Sequence, residues 1–159
     1  MDLEALALAV DDRIRVPAAE RSSGRLSAVR SESDAEGDGV ALDLLAEGEA
    51  RTLPQRVRVP AGVQAIALAS GVWVAPMEDD GPNRPPSQHP ERRRAHLTVL
   101  ISSEDDRDAV DVAVLRYGDG APTVLRGGVG LIHQRMLRCW SRRPEAPWAT
   151  TRSDPAARR

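Results

Sequence analysis

The sequence is short of the residues from which many functional sites are built. It contains no Lys and no Phe, one Tyr, three Trp and one Cys among 159 residues. The single cysteine, Cys139, excludes an internal disulfide and a cysteine-bound zinc cluster, since both need more than one thiol. The absence of Lys excludes a P-loop. Because so few aromatic rings are present to enclose a large cofactor, we expect no cofactor.

All positive charge comes from Arg. The chain has 22 Arg and 24 acidic residues, for a net charge of -2. Exclusive use of Arg is most simply explained by a GC-rich genome, so it does not by itself indicate phosphate binding. The slightly negative total argues against a dedicated nucleic-acid binder. The charge is nevertheless uneven, because residues 1–50 hold five Arg and 12 acids, whereas residues 141–159 hold five Arg and two acids.

The start of the chain does not resemble a targeting or membrane segment. It carries acids where a signal peptide carries positive charge, and its apolar run at residues 5–10 is too short to span a bilayer. A lone cysteine fits a reducing compartment. We therefore expect a cytoplasmic protein without membrane contact.

Composition divides the chain into three parts. Residues 1–39 predict a short helix over residues 2–10, with Asp2 as its N-cap, and then an acidic disordered linker from about residue 18. Residues 40–143 predict a single domain, so a fragment of about residues 39–143 should fold alone. Residues 144–159, with three Pro and several Arg, predict a disordered basic tail.

Within the domain, short apolar runs between turn residues predict strands. Residues 40–46 fit a helix or a strand, and we favour the strand. Residues 47–48 predict a turn, and residues 50–53 a returning strand that Pro54 stops. The longest apolar run, residues 63–75, predicts a central strand that is buried on both faces and bulged at Gly71.

The second half of the domain predicts three more strands and a helix. Alternating apolar residues indicate strands over residues 94–101 and 110–117, with an acidic turn at 104–108 between them. A short strand at 123–126 leads into a helix whose apolar stripe consists of Ile132, Met136, Cys139 and Trp140. The predicted fold class is α+β, an antiparallel sheet of four to six strands packed by a C-terminal helix.

Residues 87–94, with the sequence SQHPERRR, are the most distinctive candidate site. His89 could act as a general base, while Arg92, Arg93 and Arg94 could clamp an anionic group. The alternative is a structural loop whose arginines pair with acids at 78–80 or 104–108. Because no nucleophile accompanies His89, the segment defines no mechanism.

The glycines at 127–130 lie between a strand and a helix but do not match a dinucleotide fingerprint, because His133 occupies the position of the third glycine. They predict a turn. Cys139 lies six residues after His133, a rotation of about 240° on a helix, so the two should lie on different faces. The three histidines show no metal-ligand spacing, and we expect no bound metal.

Arg135, Arg138 and Arg142 form a basic stripe on the outer face of the last helix, and Arg143 extends it. The stripe could contact nucleic acid, an acidic partner or the acidic N-terminal part of the chain. No aromatic residues are interleaved with it, which favours a solvated helix face.

Residues 71–76 (GVWVAP), residues 86–94 (PSQHPERRR) and the closing helix together resemble uncharacterised small proteins of high-GC Gram-positive bacteria. The resemblance runs from residue 63 to residue 140, about half of the chain. It implies a bacterial, cytoplasmic origin and a sheet with a helix. No activity is assigned to that group, so the resemblance implies no catalytic residue.

Three functional hypotheses follow. The first is a non-catalytic binding or accessory module that acts through a sheet edge, the 77–94 loop or its oppositely charged ends, with an unknown protein partner or as a homodimer. The alternative is a small enzyme or anion-binding protein that uses residues 89–94. A second alternative is a weak nucleic-acid contact through the arginine stripe. No residue is identified as catalytic.

Overall fold

The computed structural model of the chain describes residues 2–14, 23–34, 37–76, 85–103, 109–128 and 130–144. The helices are α1 (Leu3–Arg13), α2 (Leu53–Arg56) and α3 (Leu131–Ser141), with a single 3₁₀ turn at Pro86–Gln88. The strands are β1 (Ser23–Asp34), β2 (Gly37–Glu49), β3 (Ala65–Val74), β4 (Arg93–Ser103), β5 (Ala109–Arg116) and β6 (Thr123–Arg126).

The six strands form one antiparallel sheet in the order β2-β1-β3-β4-β5-β6. This confirms the predicted α+β class, at the upper end of the predicted strand number. The chain inserts β1 between β2 and β3, so β2 is an outer strand although it is the second in sequence. The two edges of the sheet are therefore β2, with 13 residues, and β6, with four.

Helices cover both faces of the sheet, which explains why its central strands are apolar on both sides. Helix α1 packs on one face, and α2 and α3 pack on the other. The buried apolar residues of the first core are Leu6, Ala7, Val10, Ile14, Val29, Val40, Ala65, Ala67, Ala69, Leu100, Val112 and Val114. Those of the second core are Leu26, Ala50, Leu53, Val59, Ile66, Leu68, Val99, Ile101, Met136, Cys139 and Trp140.

The two predicted helices are present as α1 and α3. The side chain of Asp2 accepts a hydrogen bond of 2.7 Å from the backbone N–H of Ala5 and caps α1, which continues to Arg13. This satisfies one of the N–H groups that a helix start leaves without a partner. In α3, the predicted stripe faces the sheet, with Met136, Cys139 and Trp140 buried.

The disordered linker expected over residues 18–39 is wrong where the structure describes the segment. Residues 23–34 are strand β1, and β2 begins at Gly37. Leu26, Ala28 and Val29 of β1 are completely buried. The polar composition was misleading because β1 has a hydrogen-bonded strand on each side, and its Arg25 and Arg30 form ion pairs with acids of β2. Residues 18–22 and 35–36 lie outside the described residues.

The boundary expected at residue 40 is accordingly wrong as well, since the folded part already includes α1 and β1. The strand favoured over residues 40–46 is confirmed as part of β2, and the strands at 94–101, 110–117 and 123–126 are confirmed as β4, β5 and β6. The loop residues 77–84, the acidic turn at 104–108 and the tail from residue 145 lie outside the described residues.

Three local predictions need correction. No turn occurs at residues 47–48, because β2 continues to Glu49. Residues 50–53 are not a strand but a turn into α2, where Pro54 lies in the first helical turn and its missing N–H costs nothing. The pairing of β3 with β4 runs through Gly71 without a bulge. The register shift lies instead between β1 and β2, at Leu26/Ser27.

These corrections predict that a fragment of residues 40–143 does not fold on its own. It would lack β1, which joins β2 to β3, and α1, which covers one face of the sheet. We expect poor amide dispersion in its ¹H–¹⁵N NMR spectrum and no cooperative urea transition, whereas residues 2–144 should show both. A cooperative transition of the shorter fragment would mean that α1 and β1 are accessory to the fold.

Candidate functional site

Among the described residues, the most deeply buried charged group is Asp11, on the sheet-facing side of α1, with 0% of the residue exposed. Its Oδ1 accepts a hydrogen bond of 2.8 Å from the hydroxyl of Thr98. Its Oδ2 accepts bonds of 3.1 and 3.0 Å from Nε and Nη2 of Arg116. Nδ1 of His96 lies 3.3 Å from Oδ1, because β4 and β5 place His96 directly opposite Arg116. One carboxylate therefore connects α1 with two strands.

This cluster holds its carboxylate in the charged form. Burial raises the pKa of Asp11, but the hydrogen bonds from His96, Thr98 and Arg116 together outweigh burial and hold the pKa below its ordinary value of 3.8. Sequence analysis missed the cluster. The available signal was that Asp11 follows Val10 on the apolar side of α1. Its partners Thr98 and Arg116, however, are 87 and 105 residues away in the sequence. We interpret the cluster as the anchor of α1.

Replacing Asp11 by Asn should destabilise the protein by about 3 kcal/mol, because the charge of Arg116 would stay buried without its partner. Asp12→Asn is the matched control, since the Asp12 side chain is 65% exposed and lies 3.4 Å from Nη2 of the same arginine, Arg116. The control should cost less than about 0.5 kcal/mol. Urea denaturation measures the free energy of unfolding of both variants. Equal decreases in the two variants would show that Asp11 does not anchor the helix.

The same carboxylate predicts an acid-dependent loss of stability. Because the folded-state pKa of Asp11 is lowered, its stabilisation is complete above the unfolded-state value near 3.8 and disappears as the pH falls through the folded-state pKa. The free energy of unfolding should therefore fall more steeply below about pH 4 for the wild type than for Asp11→Asn. Parallel pH profiles of the two proteins would contradict this assignment.

The predicted site around His89 is less open than its sequence indicates. His89 is only 7% exposed, and its Nδ1 accepts a hydrogen bond of 3.0 Å from the N–H of Glu91. Its carbonyl oxygen accepts a bond of 3.2 Å from Nη1 of Arg92. These bonds hold the loop closed on itself, so Nδ1 is already engaged as an acceptor.

The three arginines of this segment do not converge. The guanidinium carbons of Arg92 and Arg94 each lie 4.9 Å from the centroid of the Trp73 ring. Arg93, the first residue of β4, points to the other face of the sheet and lies 4.4 Å from the centroid of Tyr117. The structure thus brings Arg92 and Arg94 together at Trp73 and separates Arg93 from them. The expected acidic partners at 78–80 and 104–108 lie outside the described residues.

The arginine stripe of α3 mainly contacts the protein itself. Arg135 donates to the carbonyl oxygen of Arg51, and Nη2 of Arg142 donates to that of Pro54 over 2.7 Å. These two bonds join α3 to the segment that contains α2. The solvated face expected from the sequence applies to Arg138, which is exposed and lies in the last turn.

Arg143 closes the end of α3 against the sheet. Its guanidinium lies 4.4 Å from the centroid of the Trp140 ring and donates to the carbonyl oxygen of Trp140 over 3.0 Å. It also donates to the hydroxyl of Ser103 over 3.1 Å, and Nε1 of Trp140 donates to the same hydroxyl over 3.0 Å. This end of the stripe therefore fixes the helix to β4.

A groove lies between β2 and α2. It has a volume of about 380 Å³, and its lining residues are Leu45, Ala46, Glu47, Leu53, Arg56, Val57 and Arg58. Leu45, Ala46, Leu53 and Val57 line it with aliphatic groups, and Glu47 and the exposed Arg56 and Arg58 add charged groups, so the groove is part apolar and part polar. Sequence analysis missed the groove because it predicted a hairpin over residues 47–53 instead of α2.

The groove runs beside the open edge of the sheet. No described strand pairs with the outer side of β2, and Leu44 in the middle of this strand is 56% exposed. Between β1 and β2, Ser27 pairs with Leu44 and Leu26 pairs with Ala46, so Leu45 is the extra residue of a bulge. A bulge changes the direction of a side chain. Here the bulged residue is one that lines the groove.

His133 and Cys139 lie in separate surroundings, as their spacing predicted. Nδ1 of His133 lies 2.9 Å from Oδ2 of Asp111, and the N–H of Gly128 donates to the same oxygen over 2.8 Å. Cys139 is in the core, with its thiol 3.7 Å from the carbonyl oxygen of Val57. Burial raises the pKa of the Cys139 thiol despite the nearby Arg142. Neither residue can activate the other.

We expect Cys139 to react slowly with a thiol reagent such as DTNB in the folded protein, because the nucleophilic thiolate is disfavoured and the side chain is buried. Reaction should accelerate strongly in 6 M guanidinium chloride. The absorbance of the released thionitrobenzoate measures both rates. Rapid stoichiometric reaction under native conditions would contradict the structural role of this cysteine.

Within the described ranges, no group of three or more His, Cys, Asp or Glu residues is arranged to hold a metal ion. None of the described helices is long and apolar enough to cross a membrane. Comparisons of the chain with protein-family models, curated proteins and solved structures found no match. The features described here define an α+β protein with one long open sheet edge and an arginine-lined groove beside it.

Proposed function

We propose that the protein is a non-catalytic binding module that takes an extended segment of a partner protein along β2. The segment adds a strand to the sheet and places an apolar side chain in the groove beside α2. The observation that carries the proposal is the position of this groove along a 13-residue edge strand with which no described strand pairs. In such binding, backbone hydrogen bonds supply affinity and side-chain pockets supply specificity.

The two sheet edges support this choice. Natural sheets protect their edges with short strands, charges or covering elements. The β6 edge is short, and its Arg126 forms an ion pair of 2.9 Å with Glu4 of α1. The β2 edge is three times as long and carries the exposed Leu44. Its exposed strand length and apolar residue are typical of a binding edge.

The charges on β2 do not block such pairing. Asp43 forms an ion pair of 2.9 Å with Arg30, and Glu47 forms one of 3.0 Å with Arg25. Both arginines belong to β1, on the inner side of β2, so these acids are partly neutralised from within the sheet. Backbone N–H and C=O groups on the outer side of β2 are then the polar groups that a partner strand would pair with.

The other hypotheses receive less support from the geometry. An anion clamp at residues 89–94 would need Arg93 to converge with Arg92 and Arg94, but it contacts a different aromatic ring. A nucleic-acid contact through α3 would compete with the bonds that Arg135 and Arg142 make to the α2 segment. A bacterial cytoplasmic location stays part of the proposal, on the grounds of the single buried cysteine and the resemblance of residues 63–140.

Selection from a displayed library of random linear 12-residue peptides tests the proposal. Peptides selected on the immobilised wild type should lose binding to Leu45→Arg, which places a charge in the groove. They should keep binding to Leu125→Arg, the matched control on the opposite edge, where Leu125 is 46% exposed. Circular dichroism checks that both variants fold.

The proposal fails if no peptides are selected. It also fails if the selected peptides bind folded Leu45→Arg as tightly as they bind the wild type. Loss of binding to Leu125→Arg alone would place the binding surface at the β6 edge.

A further inference from the structure

The face of the protein that holds the groove is basic. Two chain segments cover this face, residues 50–63 with α2 and residues 131–144 with α3. The first segment contains three Arg and the second contains four, and neither contains an Asp or Glu. The opposite face carries α1, which begins with Asp2 and Glu4 and ends with Asp11, Asp12 and Arg13. The two helical layers therefore differ in the sign of their charge.

Two acids near the groove face are already paired with cations outside the two segments, which reduces their effect on this charge. Glu47 contacts Arg25 and Asp43 contacts Arg30, both in β1. Arg56 and Arg58 line the groove and are exposed.

Arg56 also reaches the end of β2. A side chain added at Gly48 would lie 3.1 Å from Nη2 of Arg56. The guanidinium of Arg56 is therefore close enough to the edge strand to contact a segment paired with it.

We propose that the partner segment is acidic, with Asp or Glu residues on both sides of an apolar residue. The apolar residue enters the groove between Leu45 and Val57, and the carboxylates contact Arg56 and Arg58. Guanidinium groups suit this role because their paired N–H donors match the two oxygens of a carboxylate. This inference rests on the proposed function and adds the chemistry of the partner.

The surface fits an acidic peptide better than a nucleic acid. Single-stranded nucleic acids bind through exposed aromatic rings that stack on bases, together with cations. The aromatic rings in the two segments are those of Trp140, which is 2% exposed, and His133, whose side chain is 15% exposed and contacts Asp111. Four of the seven residues that line the groove are aliphatic, and these suit an apolar amino acid.

The test uses peptides selected from the same random library. We expect them to be rich in Asp and Glu around an apolar residue and to bind about tenfold more weakly to Arg56→Glu/Arg58→Glu. Binding should weaken similarly between 50 and 500 mM NaCl. The matched control Arg56→Lys/Arg58→Lys keeps the positive charge but loses the paired N–H donors, so its affinity should lie between those of the wild type and Arg56→Glu/Arg58→Glu. Fluorescence anisotropy of labelled synthetic peptides measures each affinity.

The outcomes separate this inference from the proposed function. If neutral or basic peptides are selected and Leu45→Arg still removes their binding, the groove is a binding site but its partner is not acidic. If Leu45→Arg removes no binding, the proposed function fails. If a labelled oligo(dT) binds as tightly as the selected peptides and is equally sensitive to Arg56→Glu/Arg58→Glu, the surface recognises negative charge alone and the inference is overturned.

Discussion

The ion pair between Asp11 and Arg116 is the constraint on which the layered structure depends. A buried carboxylate is tolerated only if it is paired and hydrogen-bonded, and Asp11 has these partners only where α1 crosses β4 and β5. The helix is therefore held in one position along the sheet. With α1 in place, the inner part of β3, residues 65–70, is buried on both faces. A sheet covered on one side only would expose Ala67, Ala69 and Leu100.

The groove is a product of strand order. Because β1 lies between β2 and β3, the chain leaves β2 at the outer edge and must return to β3 over the face of the sheet that α2 and α3 cover. Helix α2 forms in this return, and its segment is held against α3 by bonds from Arg135 and Arg142. The side chains of Leu45, Leu53 and Val57 then face a common space. The contacts that stabilise the packing of α2 against α3 therefore also form the candidate site.

Arginine serves two purposes on this face. A guanidinium has five N–H donors, so it can bond a backbone carbonyl and still present positive charge to solvent. Arg142 does so at the carbonyl of Pro54 while remaining exposed. The unequal charge of the chain becomes a difference between two faces, with an acidic α1 on one side and a basic α2–α3 layer on the other. Such a field favours approach of an acidic partner to the groove.

The sequence by itself determined the elements whose signals are local. Asp2 caps α1, and the apolar spacing marks the buried face of α3; both signals lie within a few residues. The alternation of apolar and polar residues in β4, β5 and β6 indicates which side chains are buried. Only the tertiary structure decided that the polar segment at 23–34 is a strand, that Asp11 pairs with Arg116, and that the groove forms. The physical reason is that the apolar periodicity of a segment shows which of its faces is buried. It does not show which other element packs against that face. These features depend on partners far along the chain, which appear only when the strands take their order in the sheet.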